Sequence, residues 1–341
     1  MVRSTSPSCC RNENEIARPV SRGYNVCMKV IEHIQKARGP LFSYEIVPPP
    51  RGRSVRDLVE IVEALAPMDP PWIDVTAHAS NAYYQENADG SIAKRTYKKR
   101  PGTMGICGII QNRFRIDTVA HILCLGFTRE ETEDALIELS YLGIENVLAL
   151  QGDNPNYSKP TPNNRSTNQF ASDLVAQVAG LRTGKFIDEV SSGSPVDFCC
   201  GVAGYPEKHI EAANFKTDLH YLKKKVDCGA NYIVTQMFYD NSKYFNFVKA
   251  CREVGIDVPI IPGVKIIRNA AQLKTIPKTF HVDLPEELTD SVLSNPQHAG
   301  EIGARWAEKQ VGDLLQNGVN NIHFYIMNDT SLVVNLVKKF R

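Results

Sequence analysis

The stretch Phe198–Asp240, FCCGVAGYPEKHIEAANFKTDLHYLKKKVDCGANYIVTQMFYD, decides the fold class. An apolar run, Cys199–Ala203, ends in a polar loop that begins at Tyr205. A helical segment, Thr217–Cys228, follows, and after it comes a second apolar run, Tyr232–Phe238. The order strand, polar loop, helix, strand is the repeating unit of a parallel sheet. Because ligands bind beyond the carboxyl ends of such strands, the polar loop is a candidate for chemistry.

The same alternation continues through the rest of the chain after Met28. Continuous apolar strands separated by helices are typical of a parallel sheet that is buried on both faces. Eight such units predict an α/β fold, a (β/α)8 TIM barrel with insertions. A doubly wound Rossmann sheet is the rival, but no G-x-G-x-x-G follows the first strand. The strand candidates are Leu41–Val47, Trp72–Thr76, Thr118–Cys124, Asn146–Leu150, Phe198–Ala203, Tyr232–Phe238, Pro259–Val264 and Asn321–Ile326.

Segments with helical periodicity fill most intervals between these strands. Thr128 is a predicted N-cap, because acidic residues occupy the turn that follows it. We interpret Gly152–Thr167 and Asp283–His298 as long loops or insertions. The predicted helices include Ser54–Ala66, Arg129–Leu142, Thr217–Cys228, Ser242–Val254 and Gly300–Leu315.

The composition excludes several classes of protein. The chain has 341 residues, of which 43% are hydrophobic, and this is ample for a large core. A net charge of +1 with no long basic run argues against a nucleic-acid partner. No apolar stretch approaches the roughly 18 residues of a membrane-spanning helix. Most of the nine cysteines lie in or beside apolar or helical segments, which indicates free buried thiols in a reducing compartment such as the cytoplasm.

Residues 1–27 differ from the remainder of the sequence. They are polar, contain two prolines and lack hydrophobic periodicity and the apolar core of a secretory signal. We expect a disordered N-terminal extension or a start site placed too early, with Met28 as the true start. The barrel is predicted to occupy residues 28–341.

Polar residues close each predicted strand, at the end where barrel enzymes place their active sites. Two carboxylates, Glu45 and Asp153, come from separate strands and are expected to face one cavity. A carboxyl group in an apolar pocket has a raised pKa and can act as a general acid near neutral pH. The other candidates are Asp74, Thr76, His78, His121, Gln151, Gly152, Tyr205, His209, Gln236, Lys265, Tyr325 and Asn328.

Each candidate also has a structural interpretation. Glu45 can pair with a structural cation, His121 can be a satisfied core histidine, and Lys224 and Lys225 can form a solvated helix face. Lys265 lies where a Schiff-base aldolase carries its lysine, although a single lysine is weak evidence for that class. Three histidines on three strands, without a local ligand pair, do not predict a metal site; they are His78, His121 and His209.

From Met28 to the C-terminus, the order of these motifs resembles the methylenetetrahydrofolate reductase family, and most of all its short bacterial-type members, which lack the C-terminal regulatory domain of the eukaryotic enzymes. The resemblance is carried by a series of short motifs that follow one another around the predicted barrel. They are Phe42-Ser43-Tyr44-Glu45, Asp74-Val75-Thr76, His121 with Cys124, Leu148–Asp153, Ala171–Leu174, Tyr205-Pro206-Glu207 with His209, Lys225-Val226-Asp227, Thr235-Gln236, Ile261-Pro262-Gly263 and His323-Phe324-Tyr325.

The resemblance implies a ping-pong hydride transfer. NADH or NADPH reduces a bound FAD, and 5,10-methylenetetrahydrofolate then takes the hydride to become 5-methyltetrahydrofolate, which feeds methionine synthesis. Glu45 is implied as the general acid that opens the folate's five-membered ring to an iminium ion. Asp153 is implied to stabilise that cation and to tune the flavin. The family further implies a homo-oligomer.

The resemblance also implies the binding residues. Positions that match folate contacts are Gln236, Gln272 and Tyr325. Positions that match FAD contacts are Thr76, His121, Gln151, Gly152, Asp153, Phe170, Ala171, Tyr205, His209, Ala212, Asp218, Lys224 and Lys225.

Four positions depart from the family pattern. Gln151 replaces an arginine, Ala77 an aromatic residue and Tyr221 a small polar residue, while Asp329 stands where an arginine commonly touches the folate. We expect FAD binding to survive and folate affinity to be reduced or reshaped.

These departures keep two alternatives open. One is a flavoprotein of the same fold that depends on a partner subunit or another electron donor. The other is a non-catalytic paralogue that binds flavin or folate. Retention of Glu45, Asp153 and Gln236 argues against the paralogue, because a binding protein has no need of a general acid.

Overall fold

In a computed structural model, which describes residues 27–98, 100–152, 165–188, 193–327 and 330–341, eight parallel strands close into a barrel. The predicted (β/α)8 fold is therefore confirmed. The barrel strands are β1 Leu41–Ile46, β2 Trp72–Val75, β5 Asp117–Leu123, β6 Asn146–Leu150, β7 Cys199–Gly204, β8 Tyr232–Met237, β9 Ile260–Val264 and β10 Asn321–Met327. Around the barrel they follow the order β1-β10-β9-β8-β7-β6-β5-β2.

Helices alternate with the strands and cover the outside of the barrel. In α4 the predicted cap at Thr128 is present: its hydroxyl accepts from the Glu131 amide, and the Glu131 carboxylate accepts from the Thr128 amide. The helices are α1 Val30–Lys36, α2 Val55–Leu65, α3 Thr103–Ile109, α4 Arg129–Tyr141, α5 Ala171–Leu181, α6 Phe215–Asp227, α7 Asn241–Glu253, α8 Gln272–Phe280, α9 Glu286–Ser294, α10 Ala299–Gln316 and α11 Ser331–Val337. None of the helices in the described ranges is both long and apolar enough to cross a membrane.

The two-residue period of the strands separates an inner from an outer core. On β7, Cys199 packs with the inner cluster and the adjacent Cys200 packs with the outer cluster under the helices. On β1, Phe42 and Tyr44 likewise belong to the outer cluster. All seven cysteines of the described residues are free, and six of them are buried, as the sequence predicted.

Helix α1 closes the amino end of the barrel. Its first residue, Val30, is fully buried against Trp72 and Tyr232, and its backbone amide donates to the side-chain oxygen of Asn146 over 2.9 Å. Cys27, the last residue of the predicted extension, is also buried here, whereas residues 1–26 lie outside the described part of the chain. This end of the barrel is a packed floor, so an open site is left to the other end.

Two insertions differ from the sequence interpretation. An antiparallel hairpin, β3 Asn81–Glu86 and β4 Ile92–Tyr97, follows β2 and was not predicted. The segment Asp283–His298 is an insertion, but the expectation of a long loop is wrong, because it contains α9 and a short 3₁₀ turn. Leu288 and Val292 bury one face of α9, which explains why a helix forms there. Most of Gly152–Thr167 lies outside the described residues.

Candidate active site

Inward-facing polar side chains lie together at the carboxyl end of the barrel, which we call the mouth. On β1 the inner face carries Ser43 and then Glu45, in alternation with the buried outer residues. Register places Glu45 opposite Asp74 of β2 on one side and Tyr325 of β10 on the other. Three of the predicted strand-end residues are thus brought to one level of the barrel by strand pairing alone.

Glu45 is the acid of this cluster. Its side chain is only 14% exposed. Burial raises the pKa of its carboxyl to about 7; the nearby Asp74 carboxylate adds to the rise, while His121 and Lys265 oppose it. A carboxyl group with this pKa holds a proton in a large fraction of molecules near neutral pH. This pKa is compatible with a general acid, and the catalytic role of Glu45 stays a prediction.

A buried polar network lies beside and below Glu45. The Nε2 atom of His121 is 3.7 Å from Glu45 Oε2 and 3.5 Å from Asp74 Oδ2. On the far side of Asp74, His323 Nδ1 lies 3.7 Å from Oδ1 and 2.9 Å from the hydroxyl of Ser43. His121 is thus a buried histidine whose ring lies between two carboxyl groups, and its predicted contact with FAD stays a prediction.

The two histidines of this network differ in proton affinity. Burial lowers the pKa of His121, but Asp74 and Glu45 outweigh burial and the net pKa is raised. For His323 burial prevails over the attraction of Asp74, so its pKa is lowered. His121 therefore has the higher proton affinity of the two. From the sequence, Ser43 and His323 were only members of family motifs and not predicted site residues. Their inward position on the strands was the signal that could have identified them as site residues.

On the β9–β10 side, the inner wall of the barrel is formed by Tyr325, Gly263 and Lys265. The phenol of Tyr325 donates to the backbone oxygen of Thr235 over 2.7 Å, so its ring crosses above β9. Gly263 lies beneath that ring, and a Cβ atom there would be 2.4 Å from a ring carbon. Lys265 follows at the end of β9 and is buried, with its ammonium group 3.3 Å from the Tyr325 carbonyl oxygen.

The described positions that match FAD contacts lie on β2, β5, β6 and β7 or on the loops and helices that follow these strands. These four strands are consecutive in the barrel. Thr76, after β2, has a buried hydroxyl with no hydrogen bond to any described residue. Gly152, after β6, has a φ of 89°, a backbone conformation that favours glycine. Gln151 beside it is half-buried.

The loop between β7 and α6 and the helix α6 itself carry six more of these positions. The rings of Tyr205 and His209 meet edge to face at 4.5 Å, and the His209 amide donates to Asp218 over 2.9 Å. Lys225 reaches back to the Ala203 carbonyl oxygen over 2.6 Å, and burial lowers its pKa to about 8 although Asp218 opposes the shift. Ala212 is buried, and Lys224 is exposed. The loop thus supplies an aromatic edge and α6 supplies a half-buried cation.

Phe170 and Ala171 stand at the start of α5. The Asp173 carboxylate accepts from the Phe170 amide over 3.0 Å and fixes the first turn. The Phe170 ring is 55% exposed, which is unusual for so large an apolar side chain. It is available for contact with a ligand.

The predicted folate residues occupy β8, β10 and the start of α8. Gln236 accepts from the neighbouring Met237 amide over 3.0 Å. Gln272 accepts from the Arg268 amide over 2.6 Å and so shapes the turn before α8. Tyr325 lies between them and Glu45. Asp153, Asn328 and Asp329 lie outside the described residues, so their predicted roles stay predictions.

A sequence profile of the methylenetetrahydrofolate reductase family matches residues 29–341. The chain belongs to this family. A 5,10-methylenetetrahydrofolate reductase from Pectobacterium carotovorum is 30% identical to it over 294 residues, which cover 85% of this chain and 86% of the relative. The Escherichia coli relative is also 30% identical, over 84% of this chain and 86% of its own length.

Longer relatives match equally well over part of their length. Methylenetetrahydrofolate reductase (NADH) 1 of Zea mays is 31% identical over 88% of this chain and 49% of its own. The chain thus spans about half the length of the plant relatives that it matches. Among solved structures, an uncharacterised Clostridium thermocellum protein that binds 5-methyltetrahydrofolic acid has a TM-score of 0.57 at 14% identity, with 91% of this chain and 98% of that one covered. This likeness supports the fold alone.

Proposed function

We propose that this chain reduces 5,10-methylenetetrahydrofolate to 5-methyltetrahydrofolate with NADH or NADPH, through a bound FAD. The observation that carries the proposal is Glu45, a buried inward-facing carboxyl whose pKa is raised by burial to about 7. It lies in the cluster of residues by which the chain resembles its family, and that family's relatives are named for this reaction. Relatives with NADH and with NADPH in their names both occur, so either nucleotide is proposed.

The residues of the mouth fit FAD. The unpartnered Thr76 hydroxyl and the open backbone at Gly152 are suited to the isoalloxazine edge, which presents several hydrogen-bonding atoms. Lys225, with exposed Lys224 beside it, supplies positive charge suited to the diphosphate. When bound, FAD supplies a two-electron carrier between nicotinamide and folate.

The chain's own residues supply the acid–base chemistry. Glu45 donates its proton to the folate nitrogen that leaves when the five-membered ring opens. The resulting cation is stabilised by nearby negative charge, for which Glu45 itself, once ionised, and Asp153 are the proposed groups. His121 lies 3.7 Å from Glu45, and its raised pKa favours a proton next to the carboxylate that remains. Gln236, Gln272 and Tyr325 are proposed to orient the folate on the β8–β10 side.

The wider role follows from the product. 5-Methyltetrahydrofolate is a methyl donor, and we propose that it feeds methionine synthesis in the cytoplasm. The chain is further proposed to work as a homo-oligomer.

The test is an anaerobic absorbance experiment on the purified protein. The flavin band near ~450 nm, a property of the cofactor, should bleach with NADH or NADPH and return when methylenetetrahydrofolate is added. In Glu45→Gln the bleaching should persist, while the return should slow by about 10²–10⁴-fold, the usual effect of losing a general acid.

Three outcomes are informative. Return of the band in the wild type and not in the variant supports the proposal. A band that bleaches but does not return with folate would shift the assignment to a flavoprotein that needs a partner or another substrate, with Gln151 and Asp329 as the first suspects. A protein that takes up no flavin would contradict the proposal.

A further inference from the structure

Lys265 carries a buried ammonium group that the proposed chemistry has not yet used. It is 8% exposed and lies at the end of β9, two residues beyond Gly263 and therefore on the same inner face. An ammonium group has three donors. Within the described residues one acceptor is identified, the Tyr325 carbonyl oxygen at 3.3 Å. An isolated buried charge is costly, so a compensating negative charge is expected close by.

Strand order identifies that negative charge. β10 lies between β9 and β1, and Tyr325 is the register partner of Glu45. The carbonyl that Lys265 binds thus belongs to the residue beside Glu45. The attraction is mutual: Glu45 raises the pKa of Lys265 against the stronger effect of burial, and Lys265 lowers that of Glu45.

The wall of the barrel next to Lys265 is fixed in position. The Tyr325 ring is fixed by the hydrogen bond to Thr235, and the absence of a side chain at Gly263 makes room for that ring. Arg268, in the loop after β9, also lowers the pKa of Lys265 by charge repulsion. The charged and titratable groups around Glu45 are Asp74 of β2, His121 of β5, Lys265 after β9 and Tyr325 of β10.

We propose that Lys265 is a positioning residue for Glu45, and that its ammonium group is the fixed counter-charge that stabilises the Glu45 carboxylate after the proton has left. Asp74 on β2 disfavours that carboxylate, whereas His121 and, to a lesser extent, Lys265 favour it. Lys265 thus adds to the effect of His121 in making the proton available for transfer. The role in transfer rests on the proposed reductase function, whereas the electrostatic pairing does not.

The experiment titrates Glu45 directly. Protein labelled with ¹³C at the glutamate side-chain carboxyl is followed by NMR between pH 4 and 10, and the Glu45 signal is identified by its loss in Glu45→Gln. In Lys265→Met the midpoint should rise by about 1 pH unit, the usual effect of removing a neighbouring opposite charge. In Lys265→Arg it should stay near the wild-type value. Lys274→Met, which removes an exposed charge from α8, is the matched control and should not move it.

Two results overturn the proposal: an unchanged midpoint in Lys265→Met, or an equal rise in Lys265→Arg and Lys265→Met. If the methionine variant does not fold, Lys265→Gln removes the same charge and is judged by the same criteria. The titration needs neither folate nor nicotinamide. A wild type that fails to reoxidise with folate would therefore refute the proposed function while leaving the midpoint shift measurable.

Discussion

His121 Nε2 lies 3.7 Å from Glu45 Oε2, although the two residues stand on strands that are not neighbours. β2 runs between their strands, and its Asp74 reaches the same nitrogen at 3.5 Å. One imidazole is therefore shared by two buried carboxyl groups. The pKa of Glu45 is raised to about 7 and the pKa of His121 is also raised, so each group binds a proton more tightly than it does in water. This sharing makes the cluster responsive to pH.

The stability of the protein should therefore depend on the ionisation of Glu45. Its pKa is raised by burial from 4.5 to about 7 in the folded chain, so the folded state binds this proton more tightly than the unfolded state. The associated stability is fully present below pH 4.5 and is lost as pH rises to about 7. At 1.36 kcal/mol per unit this amounts to roughly 3 kcal/mol.

Glu45→Gln removes that dependence, because glutamine does not titrate. The free energy of unfolding of each protein is measured by urea denaturation at pH 5 and at pH 8. The decline between these two pH values should be about 2–3 kcal/mol smaller in Glu45→Gln than in the wild type. The exposed Glu60→Gln is the control and should follow the wild type. Parallel declines in the wild type and in Glu45→Gln would show that Glu45 is already ionised at pH 5.

Adjacent lysines on α6 should differ in their effect on flavin. Lys225 is half-buried and hydrogen-bonded to Ala203 at the mouth, while Lys224 is exposed. Loss of a charge-assisted hydrogen bond costs about 1.5–3 kcal/mol. We expect Lys225→Met to weaken FAD affinity by roughly tenfold or more and Lys224→Met to weaken it much less. Fluorescence titration of the apoprotein with FAD measures both, and equal losses would count against a direct role for Lys225.

The sequence predicted the barrel because its strands are buried on both faces and so read as short apolar runs. The hairpin β3–β4 escaped prediction for the opposite reason. Its strands are largely exposed, with Tyr84 72% and Ile92 71% exposed, so no buried face imposes a pattern. Helix α9 was obscured because only two of its residues, Leu288 and Val292, are buried.

The site was predictable as a set of residues at strand ends, but its contacts were not. The proximity of His121 to Glu45 depends on β2 lying between their strands and on the register of all three, which chain order does not specify. Similarly, the sequence offered Lys265 as a Schiff-base candidate, because it does not show that this ammonium group binds the carbonyl oxygen of Tyr325, the register partner of Glu45. Distances across a barrel arise from strand order and register, so they become visible only in the folded chain.

Gly263 should tolerate no side chain. A Cβ atom there would lie 2.3 Å from the Thr235 carbonyl oxygen and 2.4 Å from the Tyr325 ring, closer than atoms approach in proteins. Gly263→Ala should therefore displace Tyr325 and destabilise the fold by about 1–3 kcal/mol, as overpacking does. Gly105→Ala in α3 is the matched control, since its Cβ meets nothing within 4 Å and alanine favours a helix. Urea denaturation of both variants should give opposite signs, and a neutral Gly263→Ala would mean that the Tyr325 ring moves freely.

The floor of the barrel should contribute to stability without affecting the mouth. Asn146 is fully buried there; its side-chain oxygen accepts from the Val30 amide over 2.9 Å, and its amide donates to the Met28 carbonyl oxygen over 3.1 Å. Asn146→Ala leaves both backbone groups without these partners, and an unsatisfied buried group costs about 1–3 kcal/mol. We expect a loss of this order or somewhat more in urea denaturation, while exposed Asn317→Ala should cost much less. Because the mouth is at the other end of the strands, FAD affinity measured below the unfolding transition should remain at the wild-type value; a parallel loss of affinity would show that floor and mouth are coupled.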